Sequence, residues 1–108
     1  MSKLFQNKPR YVTAGINNDL PLQFQLFLWN CIDELITSGT ELDYLQIFNL
    51  YIISNKEDSE VGGVKVIHEQ EIPDFKKEYL YQGIEKVEGK VYVIDDWAYA
   101  TMLWSHEY

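Results

Sequence analysis

The stretch DLPLQFQLFLWNCIDELITSG, residues 19–39, constrains the fold most, because its pattern and its ends indicate different structures. Apolar and polar residues alternate over residues 20–26, as they do in a half-buried strand. The ends are typical of a helix, because Pro21 falls in the first turn, where an N–H is not needed, and Gly39 suits a left-handed cap. The length is ordinary for a helix and long for a strand. We predict a helix at about residues 19–38.

A helix with this alternation has two apolar sides. Each step of two residues turns the helix by about 200°, so alternate side chains fall on opposite faces. The wider stripe, which we predict to face the core, contains Leu20, Phe24, Phe27, Leu28, Cys31 and Leu35. The second helix stripe contains Leu22, Leu26, Trp29 and Ile36. Burying one such side chain is worth roughly 1.5–3 kcal/mol, so we expect the second helix stripe to be covered.

Three covers for the second helix stripe stay open. The N-terminal arm offers Leu4 and Phe5, the C-terminal segment offers Trp104, and another molecule is the third. We predict that this stripe is a partner-binding surface, with Trp29 near its middle. A twofold homodimer is the simplest form, because one gene product then covers its own apolar residues.

The rest of the chain predicts strands. Runs rich in β-branched and aromatic residues occupy residues 10–16, 43–54, 64–72, 75–82 and 89–96. Residues 98–108 favour a last strand over a short helix. Both alternating sets of residues 43–54 are apolar, which is typical of a central strand covered on both faces. The charged residues 55–63 are predicted to be a hairpin turn.

These elements predict an α+β fold. One long amphipathic helix packs on a mostly antiparallel sheet of about five or six strands, in the order β–α–β–β–β–β with a possible last strand. A chain of 108 residues is predicted to be a single domain, with residues 1–9 as a flexible N-terminal arm. Hydrophobic residues make up 46% of the chain, which is enough for a core without disulfides.

The charge balance excludes some partners. The formal net charge is −8, from 17 acidic and 9 basic residues. Residues 1–10 carry three of the basic residues and no acid, so the other 98 sum to −11. Such a body repels phosphate, so we expect no direct nucleic-acid binding. One cysteine and no apolar run long enough for a membrane span predict a soluble, cytoplasmic protein without a membrane partner.

No residue set identifies a reaction. Cys31 falls in the core stripe, where a cysteine behaves as a small hydrophobe with a raised pKa. His68 projects from one face of its strand, whereas Glu69 and Glu71 share the other, so no local acid–base pair forms. A cross-strand partner for His68 stays open.

The remaining candidates are weaker still. A zinc site of His68, His106 and Glu107 would have no fixed spacing. Asp95 and Asp96 are predicted to form a turn and to point apart, unlike the paired carboxylates of a hydrolase. We therefore predict no enzyme, no cofactor and no metal.

Four motifs, in this order, resemble a known family: RYVTAGINNDLPLQFQLFLWNCID, DYLQIFNL, IHEQEIPDFKKEYLY and KVYVIDD…ATMLWSHEY. They are similar to the small Gram-positive bacterial and phage proteins of domain-of-unknown-function family 960, from about residue 10 to residue 108. The family has no established activity, so the resemblance supports the fold and implies a bacterial or mobile-element origin. It also draws attention to five polar motif positions: Gln25, Gln46, His68, Gln70 and Glu71.

The expected function is a small non-enzymatic protein-interaction module that self-associates through the second helix stripe. The alternative is an acidic inhibitor that mimics nucleic acid, its carboxylates standing where phosphates would bind a nucleic-acid-binding protein. Steep salt dependence would distinguish this mimic from apolar docking. An enzyme that uses His68 with a cross-strand carboxylate is a third, less favoured hypothesis.

Overall fold

Two helices and a six-stranded sheet make up the fold in a computed structural model that describes residues 3–54, 61–83 and 87–108. In chain order the elements are β1 (Arg10–Val12), α1 (Ala14–Asp19), α2 (Leu22–Ser38), β2 (Leu45–Ser54), β3 (Val61–Gln70), β4 (Phe75–Tyr81), β5 (Gly89–Asp95) and β6 (Ala100–Trp104), followed by a 3₁₀ turn at Ser105–Glu107. The predicted α+β class is confirmed. Of the predicted hairpin turn at residues 55–63, residues 55–60 lie outside the described part of the chain.

The long helix begins later than predicted. Pro21 restricts Leu20 to an extended conformation, with φ −113° and ψ 126°, so α2 starts at Leu22 instead of residue 19. The predicted end is confirmed, because Gly39 has a left-handed φ of 78° and its N–H donates to the Ile36 carbonyl at 3.1 Å.

The prediction of one strand over residues 10–16 is wrong in its second half. β1 ends at Val12, and Thr13 caps α1 by accepting a hydrogen bond from the Ile16 N–H at 3.2 Å. This local cap outweighs the β propensity of the run, because a side chain–backbone bond at the first turn favours a helix.

The sheet is mixed and has the strand order β1-β6-β5-β2-β3-β4. β1 runs parallel to β6, whereas the other four neighbouring pairs are antiparallel. The predicted, mostly antiparallel sheet is therefore confirmed. The last segment forms strand β6, as predicted, and β2 occupies a central position between β3 and β5.

Alternating side chains divide the sheet into an inner and an outer face. The inner face carries buried residues of every central strand, among them Phe48, Val66, Val91 and Met102. Both helices contribute buried apolar residues to the same core. The outer face, which carries the other alternate residues, is left without a helical cover in the described chain.

The predicted N-terminal arm, residues 1–9, lies against the body from Lys3 onward. Phe5 belongs to the core and is 1% exposed. Lys8 forms an ion pair with the buried Asp95, with Nζ and Oδ2 2.7 Å apart. The flexibility of the arm stays a prediction.

Candidate interaction surfaces

The structure separates the four residues of the second helix stripe. Leu22 and Leu26 are 65% and 51% exposed, whereas Trp29 is 7% exposed. Ile36 is half-buried against the core. The guanidinium of Arg10, itself ion-paired, lies 5.0 Å from the centroid of the Trp29 ring and covers it from within the chain. Partner binding by the stripe stays a prediction, and its exposed part is Leu22 with Leu26.

Three polar motif positions on the sheet join in a buried network. The Gln46 amide Nε2 donates to Oε1 of Gln70 at 2.7 Å, and His68 Nε2 lies 2.7 Å from Oε1 of Gln46. Since Gln46 donates through Nε2, its Oε1 accepts, so His68 carries its proton on Nε2. Gln70 in turn donates to the carbonyl of Glu41 at 2.9 Å. The network ties the entry of β2 to the end of β3.

The cross-strand partner of His68 is the amide of Gln46 and not a carboxylate. The Nδ1 of His68 is buried and has no hydrogen-bond partner among the described residues, so a proton there would have no acceptor. Burial lowers the pKa of His68 to about 4, and the positive charge of Lys77 acts in the same direction. The ring stacks on Phe48, with centroids 4.4 Å apart, while Glu71 is exposed beyond the end of β3.

Cys31 has the environment of a core residue. It is 1% exposed, and burial raises the pKa of its thiol to about 12, so it stays protonated at neutral pH. Burial also raises the pKa of the nearby Tyr79, whose hydroxyl donates to the Glu34 carboxylate at 3.0 Å. Lys77 lies 3.3 Å from the same carboxylate. These contacts link α2 to β4.

The other candidate acids have structural contacts. Glu107 accepts hydrogen bonds from the Trp104 N–H and the Thr13 hydroxyl, both at 2.8 Å. Asp95 is buried at the end of β5, and Asp96 is exposed in the turn that follows, so the predicted turn holds for Asp96 and is wrong for Asp95. Within residues 3–54, 61–83 and 87–108, no three His, Cys, Asp or Glu residues are placed to hold a metal ion.

The centre of the outer face is apolar. Register places Leu45 beside Ile94 and Ile47 beside Tyr92 on the two central strands. With their neighbours they form a cluster that we call the outer patch: Leu45, Ile47, Ile67, Tyr92, Ile94 and Leu103. Five of these side chains are half-buried and Leu103 is 9% exposed. Tyr108 packs edge-on against Tyr92, with ring centroids 5.9 Å apart, and no α-helix of the described residues lies on the patch.

The charges of the outer face nearly balance. By register, Lys65, Lys76 and Lys90 share it with Glu69 and Glu78, which gives a net charge of +1. The whole chain carries −8. Lys65 and Glu78 pair across strands, with Nζ and Oε1 3.3 Å apart. The chain as a whole is strongly negative, but its outer face is nearly neutral.

A cleft of about 930 Å³ opens at the end of the sheet where β2 begins and β5 ends. We call it the end cleft, and its lining includes Leu42, Asp43, Tyr44, Ile72, Asp96 and Trp97. Large side chains around it are unusually exposed: 82% for Trp97, 79% for Ile72 and 77% for Tyr108. Ile94 belongs to both the end cleft and the outer patch.

Asp95 organises one side of the end cleft. Its carboxylate accepts hydrogen bonds from the Phe5 N–H at 2.7 Å and the Trp97 N–H at 2.8 Å, and it pairs with Lys8. Burial raises the pKa of Asp95, but these hydrogen bonds outweigh burial and hold it below its ordinary value. Trp97 is thereby held at a φ of 64°, a left-handed conformation that is unfavourable for a bulky residue.

The sequence signalled one of these two surfaces and not the other. Both alternating sets of residues 43–54 are apolar, which predicted a strand covered on both faces. Among the described residues, the helices pack on the inner face of β2, and its outer residues Leu45 and Ile47 are half-buried, so a full cover on the outer face stays a prediction. The end cleft had no sequence signal, because Trp97 stands in an ordinary two-acid turn and only its exposure and backbone single it out.

The fold and these surfaces define a small α+β protein with helices on one side of a six-stranded mixed sheet. Residues 9–107 match the family described as "Staphylococcal protein of unknown function (DUF960)", and the chain belongs to this family. The resemblance noted from the sequence is confirmed. No curated protein matches the chain significantly.

A solved structure has a similar fold. It is the "Crystal structure of the protein of unknown function from Enterococcus faecalis", with a TM-score of 0.75 and 22% sequence identity, covering 100% of this chain and 97% of that chain. At this identity the likeness supports the fold alone. Among the described residues, no helix is long and apolar enough to cross a membrane.

Proposed function

We propose that this chain is a small non-enzymatic protein-interaction module that self-associates through the outer face of its sheet. The observation that carries the proposal is the outer patch. Sheets that are apolar on both faces are ordinarily covered on both, and here the helices cover one. A second copy supplies the missing cover, so the apolar pattern of β2 is accounted for on both of its faces.

The size of the outer face suits a dimer. Six strands about 4.8 Å apart, each with about seven residues at about 3.3 Å per residue, span roughly 24 by 23 Å. Two such faces in contact bury roughly 1,100 Å² in total, which is near the lower end for a specific interface. Sheets pack face to face at about 10 Å, a distance that the aliphatic and Tyr92 side chains can fill.

Charge favours the outer face as the place where two acidic chains meet. The face carries a net +1, so the remainder of the chain carries −9. Contact through an acidic surface would bring like charges together, whereas the mixed charges of the outer face do not repel strongly. The second helix stripe, with Leu22 and Leu26 exposed, is the competing interface.

The absence of catalysis belongs to the same proposal. It is supported by the low pKa of His68 and the high pKa of Cys31, which make both groups poor proton-transfer partners and nucleophiles at neutral pH. Nucleic-acid mimicry is the alternative function. Asp33 and Glu34 on α2 are paired within the chain, so these two carboxylates are less available to stand where phosphates would bind.

Sedimentation analysis over a range of concentrations tests the proposal. Wild type is expected to approach the dimer mass, whereas Ile47→Lys is expected to stay monomeric. Ile47 pairs with Glu69 across strands, so the new lysine gains an ion pair and the monomer keeps its fold. Leu22→Lys is the matched control and is expected to dimerise as wild type does. A monomeric wild type, or association lost only in Leu22→Lys, contradicts the proposal.

A further inference from the structure

We propose that the end cleft binds a basic, partly apolar segment of another protein, with an arginine or lysine side chain against the ring of Trp97. The inference goes beyond self-association, because the partner is another protein and the contacts centre on Trp97, which lies outside the outer patch. It rests on the backbone of Trp97, on the exposed rings and aliphatic groups of the cleft, and on its charge.

The conformation of Trp97 points to a contact rather than to packing. A φ of 64° is unstrained for glycine and strained for tryptophan. Because the Trp97 ring is 82% exposed, its burial contributes little free energy to offset this strain. The turn tolerates the strain because the Trp97 N–H is fixed by Asp95 at 2.8 Å. Glycine at this position would adopt the same backbone conformation without strain, so the fold does not require a tryptophan here.

The lining of the end cleft suits a peptide segment that carries both a basic side chain and apolar side chains. Tyr44, Tyr108 and Trp97 present aromatic rings, whose faces attract arginine and lysine. Ile72, 79% exposed, offers an apolar contact for the rest of a bound segment. An extended segment that alternates basic and apolar residues satisfies both kinds of surface.

The charge of the end cleft excludes an anionic ligand. Asp43 and Asp96 line it with Lys3, while the charge of Asp95 is already neutralised by Lys8. The Asp43 carboxylate accepts the Ile72 N–H at 3.1 Å. The Asp96 carboxylate is exposed and has no hydrogen bond or ion pair among the described residues. The cleft is therefore net negative within a chain of charge −8, and it repels phosphate while attracting a basic side chain.

The test uses the full chain and a capped hexapeptide that alternates leucine and arginine, with its citrulline counterpart as the uncharged control. Binding is followed by the NMR shifts of backbone and indole N–H groups. We expect saturable shifts centred on Trp97, and an affinity for the citrulline peptide lower by about tenfold or more. Equal affinity for both peptides, or shifts spread over the whole acidic surface, would overturn the proposal, and so would no saturable shift.

Trp97→Gly separates binding from folding. Glycine adopts the left-handed conformation without strain, so the thermal midpoint is expected to be equal to or above that of wild type, while binding of the arginine peptide is lost.

Asp96→Asn should weaken binding of the arginine peptide, and Asp74→Asn, an exposed acid that does not line the cleft, should not. A lower thermal midpoint with unchanged peptide binding in Trp97→Gly would assign the ring to stability. A changed oligomer mass in this variant would assign the cleft to a second copy. Either result would overturn the proposal, and Ile47→Lys tests self-association through the outer patch separately.

Discussion

Single buried polar residues hold several parts of this chain in place. Gln25 is 4% exposed, and its amide donates to the Leu20 carbonyl at 2.8 Å, where Pro21 separates α1 from α2. Gln46 and Gln70 play the same part between β2 and β3. Buried polar groups must be paired, so these side chains contribute to the fold by bonding backbone that no helix or strand satisfies.

His68 makes stability depend on pH in mild acid. Its pKa is about 4 in the folded chain and 6.5 ordinarily, so between these values the unfolded chain binds more protons. Stability is therefore present above pH 6.5 and lost as the pH falls towards about 4, by about 3 kcal/mol in all at roughly 1.4 kcal/mol per pKa unit. Urea unfolding at stepped pH should show this slope in wild type and a reduced slope in His68→Gln. Equal slopes would refute the assignment.

Lys8 is expected to contribute strongly to stability, because its removal leaves the Asp95 carboxylate buried without its ion pair. Its side chain is 10% exposed and that of Asp95 is 0% exposed. Breaking one partner of a buried pair typically costs about 3–5 kcal/mol. We expect Lys8→Met to lower the free energy of unfolding by about 3 kcal/mol in a urea melt. Lys3→Met removes a charge from the same arm without breaking a described ion pair and should have little effect. Equal losses in the two variants would disprove the role of this pair.

At the scale of elements, the second helix stripe of α2 has a buried residue and an exposed one, and substitutions can measure the contribution of each separately. Trp29 is 7% exposed and Leu26 is 51% exposed. Trp29→Ala should therefore lower the free energy of unfolding by roughly 3–5 kcal/mol and leave the oligomer mass unchanged. Leu26→Ala should change stability by about 0.5 kcal/mol or less. A urea melt and light scattering on each variant distinguish them, and a smaller mass with unchanged stability in Trp29→Ala would place the interface on the helix.

Helices and strands could be predicted from the sequence where only one local conformational preference acts on a segment. Gly39 marked the end of α2, and the runs of β-branched residues located the strands and their order. Boundaries failed where two local effects compete, as at Thr13, whose cap converts half of a β-rich run into α1. The end cleft could not be predicted, because Ile72, Trp97 and Tyr108 come from distant segments that only the folded sheet brings together.

At the scale of the whole molecule, the exposed apolar residues and the charge distribution both favour the outer face of the sheet as the interface. The chain is −8 overall, yet the outer face sums to +1 and has the outer patch at its centre. Ile47 and Tyr92 pair directly on the two middle strands, so they stand where a twofold interface has its best-shielded contacts. The acidic remainder of the surface then faces solvent in the dimer.

Intermolecular NOEs in a mixture of carbon-13-labelled and unlabelled chains test this interface most directly, because they report contacts between copies and not within one. At concentrations where the mass is dimeric, we predict NOEs from the methyl groups of Ile47 and Ile67 to the ring of Tyr92 on the other copy. NOEs confined to the methyl groups of Leu22 and Leu26, or none from the outer patch, would contradict the account.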